Sequence, residues 1–152
     1  MAKMALVRKS LGRNISVIHT ADLEQGAVIG YKTVTNKVLG EEVREVANLT
    51  EGEPFAILIC DAHRYDEREL ESDFLLKKGK VGRAYIPVRG DVYEIDESYV
   101  DTLSGVEVGD LLELKADAMK FAKKNTGGAV ARLRRKGLTN IAGQKSVEIE
   151  II

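Results

Sequence analysis

From Ser146 to Ile151 the chain alternates polar and apolar residues at every step. A repeat of two marks a half-buried strand, because successive side chains of extended backbone point to opposite faces. Ala129-Val-Ala-Arg-Leu-Arg134 follows the same rule, with Gly137 and Gly143 as punctuation. Phe55-Ala-Ile-Leu-Ile-Cys60 is a continuous apolar run of strand length, introduced by Gly52-Glu-Pro54 and closed by Asp61, which places it in the core. Shorter β-branched runs lie at Ala27–Thr35 and Lys37–Gly40, interrupted by Gly30, Asn36 and Gly40. No strong 3.6-residue stripe competes with this pattern. Eight or nine short strands at close spacing predict a mostly β chain, a small β-barrel or sandwich-like single domain with one or two short helices.

Other segments fit that frame. Lys77 to Val88 and Val92 to Ile95, joined through Arg89-Gly90-Asp91, read as a β-hairpin. Arg89-Gly-Asp91 also spells an adhesion tripeptide, but a turn uses the same residues for glycine's freedom in φ and an Asp side-chain hydrogen bond. Asp96-Glu-Ser-Tyr99 predicts a helical turn capped by Asp96. Gly109-Asp110 bends the chain before a strand at Leu111–Leu114, whereas Val43 and Val46 are too sparse to decide between helix and strand at 41–48.

The 152 residues suit one domain, read here as a basic N-terminal arm over 1–20 and a β-rich domain over 21–152. Hydrophobic residues at 44% and charged residues at 31% provide a core and exclude general disorder. The arm carries Lys3, Arg8, Lys9 and Arg13 before the first carboxylate, Asp22, and Gly12 and Asn14 interrupt any helix. It reads as mobile until something binds it. The opening lacks a signal-peptide core, and no stretch reaches the roughly 20 apolar residues of a membrane span, so neither secretion by that route nor membrane insertion is expected. The acceptor patterns at Asn14 and Asn48 are therefore read as chance.

Chemistry is scarce. Cys60 is the sole cysteine, so no internal disulfide forms, and with His63 and His19 it falls short of a tetrahedral metal set. It ends an apolar strand beside an acidic segment, a setting that raises a thiol's pKa and disfavours a nucleophile. Residues 61–73 hold six carboxylates and read as a solvated loop or short helix without calcium-loop spacing. Phosphate-loop, nucleophile-elbow and zinc-helix motifs do not occur. The expectation is a non-enzyme that needs no cofactor and no metal.

Charge is sorted instead. Between Asp117 and Glu148 lie Lys120, Lys123, Lys124, Arg132, Arg134, Arg135, Lys136 and Lys145 with no intervening carboxylate, although the chain's net charge is only -1. A basic interaction face made of the seven from Lys120 to Lys136 would steer an acidic partner surface or a second copy. Nucleic acid is the rival partner, disfavoured because Phe121 is the only aromatic residue available there to stack on bases.

A small β domain with a leading arm resembles the head decoration, or cement, proteins of tailed bacteriophages. The local likeness lies in Gly52-Glu-Pro-Phe-Ala-Ile-Leu58, then an Asp-bearing turn at Asp61 and a return strand from Lys78-Gly-Lys-Val81. The resemblance implies a structural role on the virion: a homotrimer, made in the host cytoplasm, that binds the major capsid protein outside the assembled head and stabilises it. It implies no catalytic residues. On this reading Lys3, Arg8, Lys9 and Arg13 meet the capsid, and deleting residues 1–14 removes binding while the domain stays folded. The alternatives are a nucleic-acid-binding β-barrel using 120–136, another virion component such as a tail-tube or head-completion subunit, and a small enzyme with an unrecognised site.

Overall fold

The computed structural model describes residues 5–10, 12–38, 41–60, 75–139 and 143–152. The chain is mostly β, as its periodicity predicts, and divides its strands between a closed five-stranded barrel and a seven-stranded sheet. The barrel runs β2 (Arg13–Ile18), β5 (Glu41–Ala47), β4 (Val28–Val38), β6 (Phe55–Leu58) and β8 (Gly82–Ile86), closing back on β2. All its neighbours are antiparallel except β2 and β5. The open sheet has the order β1 (Ala5–Lys9), β9 (Val92–Asp96), β14 (Lys145–Ile151), β13 (Ala131–Thr139), β11 (Leu111–Lys115), β12 (Lys120–Lys123) and β10 (Val100–Asp101). A two-stranded ladder, β3 (Leu23–Glu24) with β7 (Leu75–Leu76), completes the described strands.

Three local readings hold. The terminal strand β14 turns Val147, Ile149 and Ile151 into the core, Gly109-Asp110 precedes β11, and Asp96 caps a 3-10 turn at Glu97–Tyr99 by accepting from the Ser98 amide. A second 3-10 turn among the described residues covers Leu103–Gly105. Arg89-Gly-Asp91 is a turn: the Asp91 amide donates to the Val88 carbonyl at 2.9 Å. Gly90 there takes a φ of +94° that favours glycine. The Asp91 side chain is buried, not displayed.

Three expectations need correction. Most of the segment read as a mobile arm is strand: Ala5–Lys9 pairs with β9 at the edge of the open sheet, and Arg13–Ile18 is a barrel stave hydrogen-bonded on both sides. Val17 inside the barrel is fully buried, and such burial repays the entropy of fixing the segment. Lys3 lies outside the described residues, as does the acidic segment 61–73 with His63. The hairpin across Arg89–Asp91 does not form, because β8 bonds to β2 and β6 while β9 bonds to β1 and β14. That turn instead carries the chain from barrel to sheet. Gly30 and Asn36 do not break β4 either; a Cβ at Gly30 would lie 2.5 Å from the Asn48 carbonyl oxygen, so glycine serves close approach within a strand.

One apolar cluster runs through both sheets, from Val17, Val28, Ile29, Ile57 and Leu58 to Tyr93, Ile95, Leu112, Phe121, Leu133 and Ile149. Phe55 of the barrel meets Phe121 of the sheet edge to face at 6.2 Å, and the Val28 amide donates to the Met119 carbonyl at 3.0 Å. Tyr93 and Tyr99 sit in this core. Burial raises the phenol of Tyr99, with Glu24 and Asp96 adding to the effect. It raises that of Tyr93 too, against an opposing hydrogen bond from Ser10. A phenol raised in the folded state stays protonated while the unfolded chain, titrating near pH 10, loses its proton. Stability from these groups is therefore complete below about pH 10 and is lost as pH rises beyond it. Thermal melts from pH 9 upward should show a steep alkaline fall that Tyr99→Phe blunts; an unchanged slope in that variant would remove Tyr99 from the account.

Candidate functional site: a polar groove on the open sheet

On the outer face of the seven-stranded sheet, Glu94 of β9 and Glu148 of β14 stand directly opposite each other in the antiparallel register. Both are buried, at 4% and 7% exposure, as is Ser146 beside them. Like charges at opposed positions repel, and a buried carboxylate needs a partner, so the pair persists only with compensation. Arg8 of β1 supplies it to Glu94, donating from Nε at 2.8 Å and from Nη2 to Oε2. Ser146 Oγ donates to the other oxygen at 2.7 Å. Arg134 Nε lies 3.1 Å from Glu148 Oε1. The result is a charge ladder, Arg8–Glu94–Glu148–Arg134, across four adjacent strands.

A backbone irregularity sets the far end of this ladder. The β13–β14 register runs Leu133 to Ile149 and then Arg135 to Glu148, so one extra residue is inserted on β13. Such a bulge breaks the two-residue alternation. Arg134 and Arg135 are accordingly both exposed, where strict alternation would turn one inward. With Arg8, Leu138 and Thr139, Arg135 lines a hollow of about 370 Å³ over the two glutamates.

The fold distributes the other sequence-derived candidates. Lys115 and Lys120 reach Asp101 at 2.8 and 3.4 Å. The hydrogen bond from Lys115 foremost holds the Asp101 carboxyl below its usual range. Lys123 reaches Asp110 at 3.2 Å; the Glu107 amide and then Lys123 depress that carboxyl. Lys136 donates to the Val106 carbonyl at 2.8 Å and lies 3.4 Å from Glu107. Four of the seven cations of the basic face, counting Arg134, are thus matched by acids of the same molecule, while Lys124, Arg132 and Arg135 have no ionic partner among the described residues. Lys9 and Arg13 are exposed at the facing ends of consecutive strands, one in the open sheet and one in the barrel.

Glu94 and Glu148 escape a sequence reading because each holds a polar slot in an alternating strand, where solvent is the ordinary expectation. Nothing in either strand signals that their partners come from residues 8 and 134. The segment 120–136 lies outside the closed barrel, which does not support nucleic-acid binding by a barrel through those residues. Buried Cys60 has its Sγ 3.3 Å from the Arg83 amide, the place of a core cysteine. Among the described residues no helix is long and apolar enough to cross a membrane. The groove's chemistry is that of ion pairing and hydrogen bonding. No protein-family profile matches this chain, and neither a curated protein nor a solved structure matches it.

Proposed function

We propose that this chain is a non-enzymatic structural protein of a phage particle, one that binds the outside of the assembled head as a homotrimer and stabilises it. The observation that carries the proposal is a β platform offering cations that no acid among the described residues matches: Arg132 and Arg135 are both exposed on β13, and Arg135 lines the groove. Their backbone is already ordered in the sheet, so only side-chain freedom is lost when they meet a partner, which favours recognition by surface contact. The two segments that carry the likeness to cement proteins run into strands that lie side by side in the barrel. The first segment contains β6, and the return segment leads into β8, the strand that pairs with β6 through Ile57 to Tyr85 and Leu58 to Ala84.

Deleting residues 1–14 is not a clean test, since it removes the edge strand β1 and the first two residues of the barrel strand β2. Charge removal at exposed positions is cleaner. The full chain should sediment at three times its 16.7 kDa mass and co-sediment with expanded heads of the phage whose genome encodes it. Arg132→Gln combined with Arg135→Gln, which removes the charges without setting a carboxylate opposite Glu148 or Glu150, should weaken that co-sedimentation by about tenfold or more while leaving the melting temperature in place. A monomer that stays in the supernatant, encoded among metabolic genes, would defeat the proposal.

A further inference from the structure

We propose that the groove over Glu94 and Glu148 is a receptor for a single carboxylate side chain, an aspartate or glutamate presented by a protein partner, with Arg135 as its anchor. This stands apart from the phage reading, since it concerns what the groove recognises and not which particle presents it.

The first ground is what the groove still lacks. Its two carboxylates are already engaged by Arg8, Ser146 and Arg134, so the floor is satisfied from within. Arg135 lines the same hollow with no hydrogen bond or ion pair among the described residues. A guanidinium offers five donors in a planar fork, and a carboxylate is the acceptor that fork matches two bonds at a time. The unmet capacity is therefore for an anion.

The second ground is how much anion fits. Three arginines, Arg8, Arg134 and Arg135, stand against two glutamates, an excess of one positive charge that one carboxylate balances. The hollow, about 370 Å³, lies at the small end for ligand sites and suits a side chain. Leu138 gives its stem an apolar wall, and the Thr139 hydroxyl is a second donor along the rim. A nucleic-acid strand fits less well. Its successive phosphates would pass over Glu94 and Glu148, and among the described residues no aromatic side chain lines the groove to stack a base.

The third ground is the bulge. An extra residue in β13 costs ladder regularity, and its effect here is to turn a second arginine outward beside the one that neutralises Glu148. Glu148 needs only Arg134; the bulge adds Arg135 to the same face.

The test uses the full chain, labelled so that arginine side-chain Nε–Hε signals are resolved by NMR, and titrated separately with capped hexaglutamate and with hexathymidylate DNA. Hexaglutamate should move the Arg135 signal saturably, and Arg135→Ala should weaken that binding by about tenfold, with Arg135→Lys restoring only part of it. Arg89→Ala, an exposed change outside the groove, should alter binding less than about twofold. Because Arg135 has no ion pair or side-chain hydrogen bond among the described residues, Arg135→Ala should melt with the parent protein, which separates lost recognition from lost fold. Hexaglutamate that fails to saturate, or binds Arg135→Ala as well as the parent, overturns the proposal. So does DNA that binds tighter than the peptide and is lost on Arg135→Ala, which would assign the groove to nucleic acid.

Discussion

Replacing Phe121 by alanine should lower the unfolding free energy by about 3–5 kcal/mol, the range for truncating a buried phenylalanine. Phe121 is fully buried. Its register positions are opposite Leu114 on β11 and beside Val100 on β10, and its ring meets Phe55 of the barrel. One side chain thus closes the far side of the open sheet and joins it to the barrel. Urea melts should show the midpoint falling with an unchanged slope, the mark of lost stability without a change in the surface exposed. Phe121→Leu should cost less, since it refills part of the cavity and forfeits only the ring contact. A loss below about 1 kcal/mol for the alanine variant would mean that barrel and sheet do not depend on this contact.

Asp91→Ala should cost about 3 kcal/mol through polar rather than apolar loss, because buried donors left without an acceptor carry their full desolvation penalty. One carboxylate oxygen of Asp91 accepts from the Val88 amide at 2.9 Å, the Tyr93 hydroxyl at 3.0 Å and the Ser10 hydroxyl at 3.0 Å. These donors belong to the turn leaving the barrel, to β9, and to the link between β1 and β2. Asp91 therefore ties the crossing from barrel to sheet at both places where the chain makes it. Asp91→Asn should fall between parent and alanine variant, since it keeps an acceptor oxygen but adds an amide facing donors. Tyr93→Phe combined with Asp91→Ala should cost less than the sum of the two, because they share one hydrogen bond. Strict additivity in that cycle would show the network to be incidental.

Local pattern was enough for whatever depends on neighbours in sequence. Period-two alternation located β14, the apolar run located β6, Gly109-Asp110 marked the bend before β11, and Asp96 declared its cap, each being a matter of a few residues' own geometry. The same reasoning misjudged residues 5–18 and the hairpin over 89–91. Their strand partners lie far along the chain, and short irregular segments look mobile until those partners are supplied. Of the candidate site, the arginines were legible and the glutamates were not, because a polar residue in an alternating strand ordinarily faces water.

By itself the sequence determined that this chain is a β protein with an excess of positive charge toward its C-terminal third, since strand periodicity and charge order are written along the backbone. Only the tertiary structure decided which of those charges remain available. It set Lys120, Lys123, Arg134 and Lys136 against acids of the same molecule, brought Arg8 from the first strand to Glu94, and left Arg135 beside the groove with no ionic partner among the described residues. Electrostatic pairing depends on separation in space, and register, bulge and strand order set that separation.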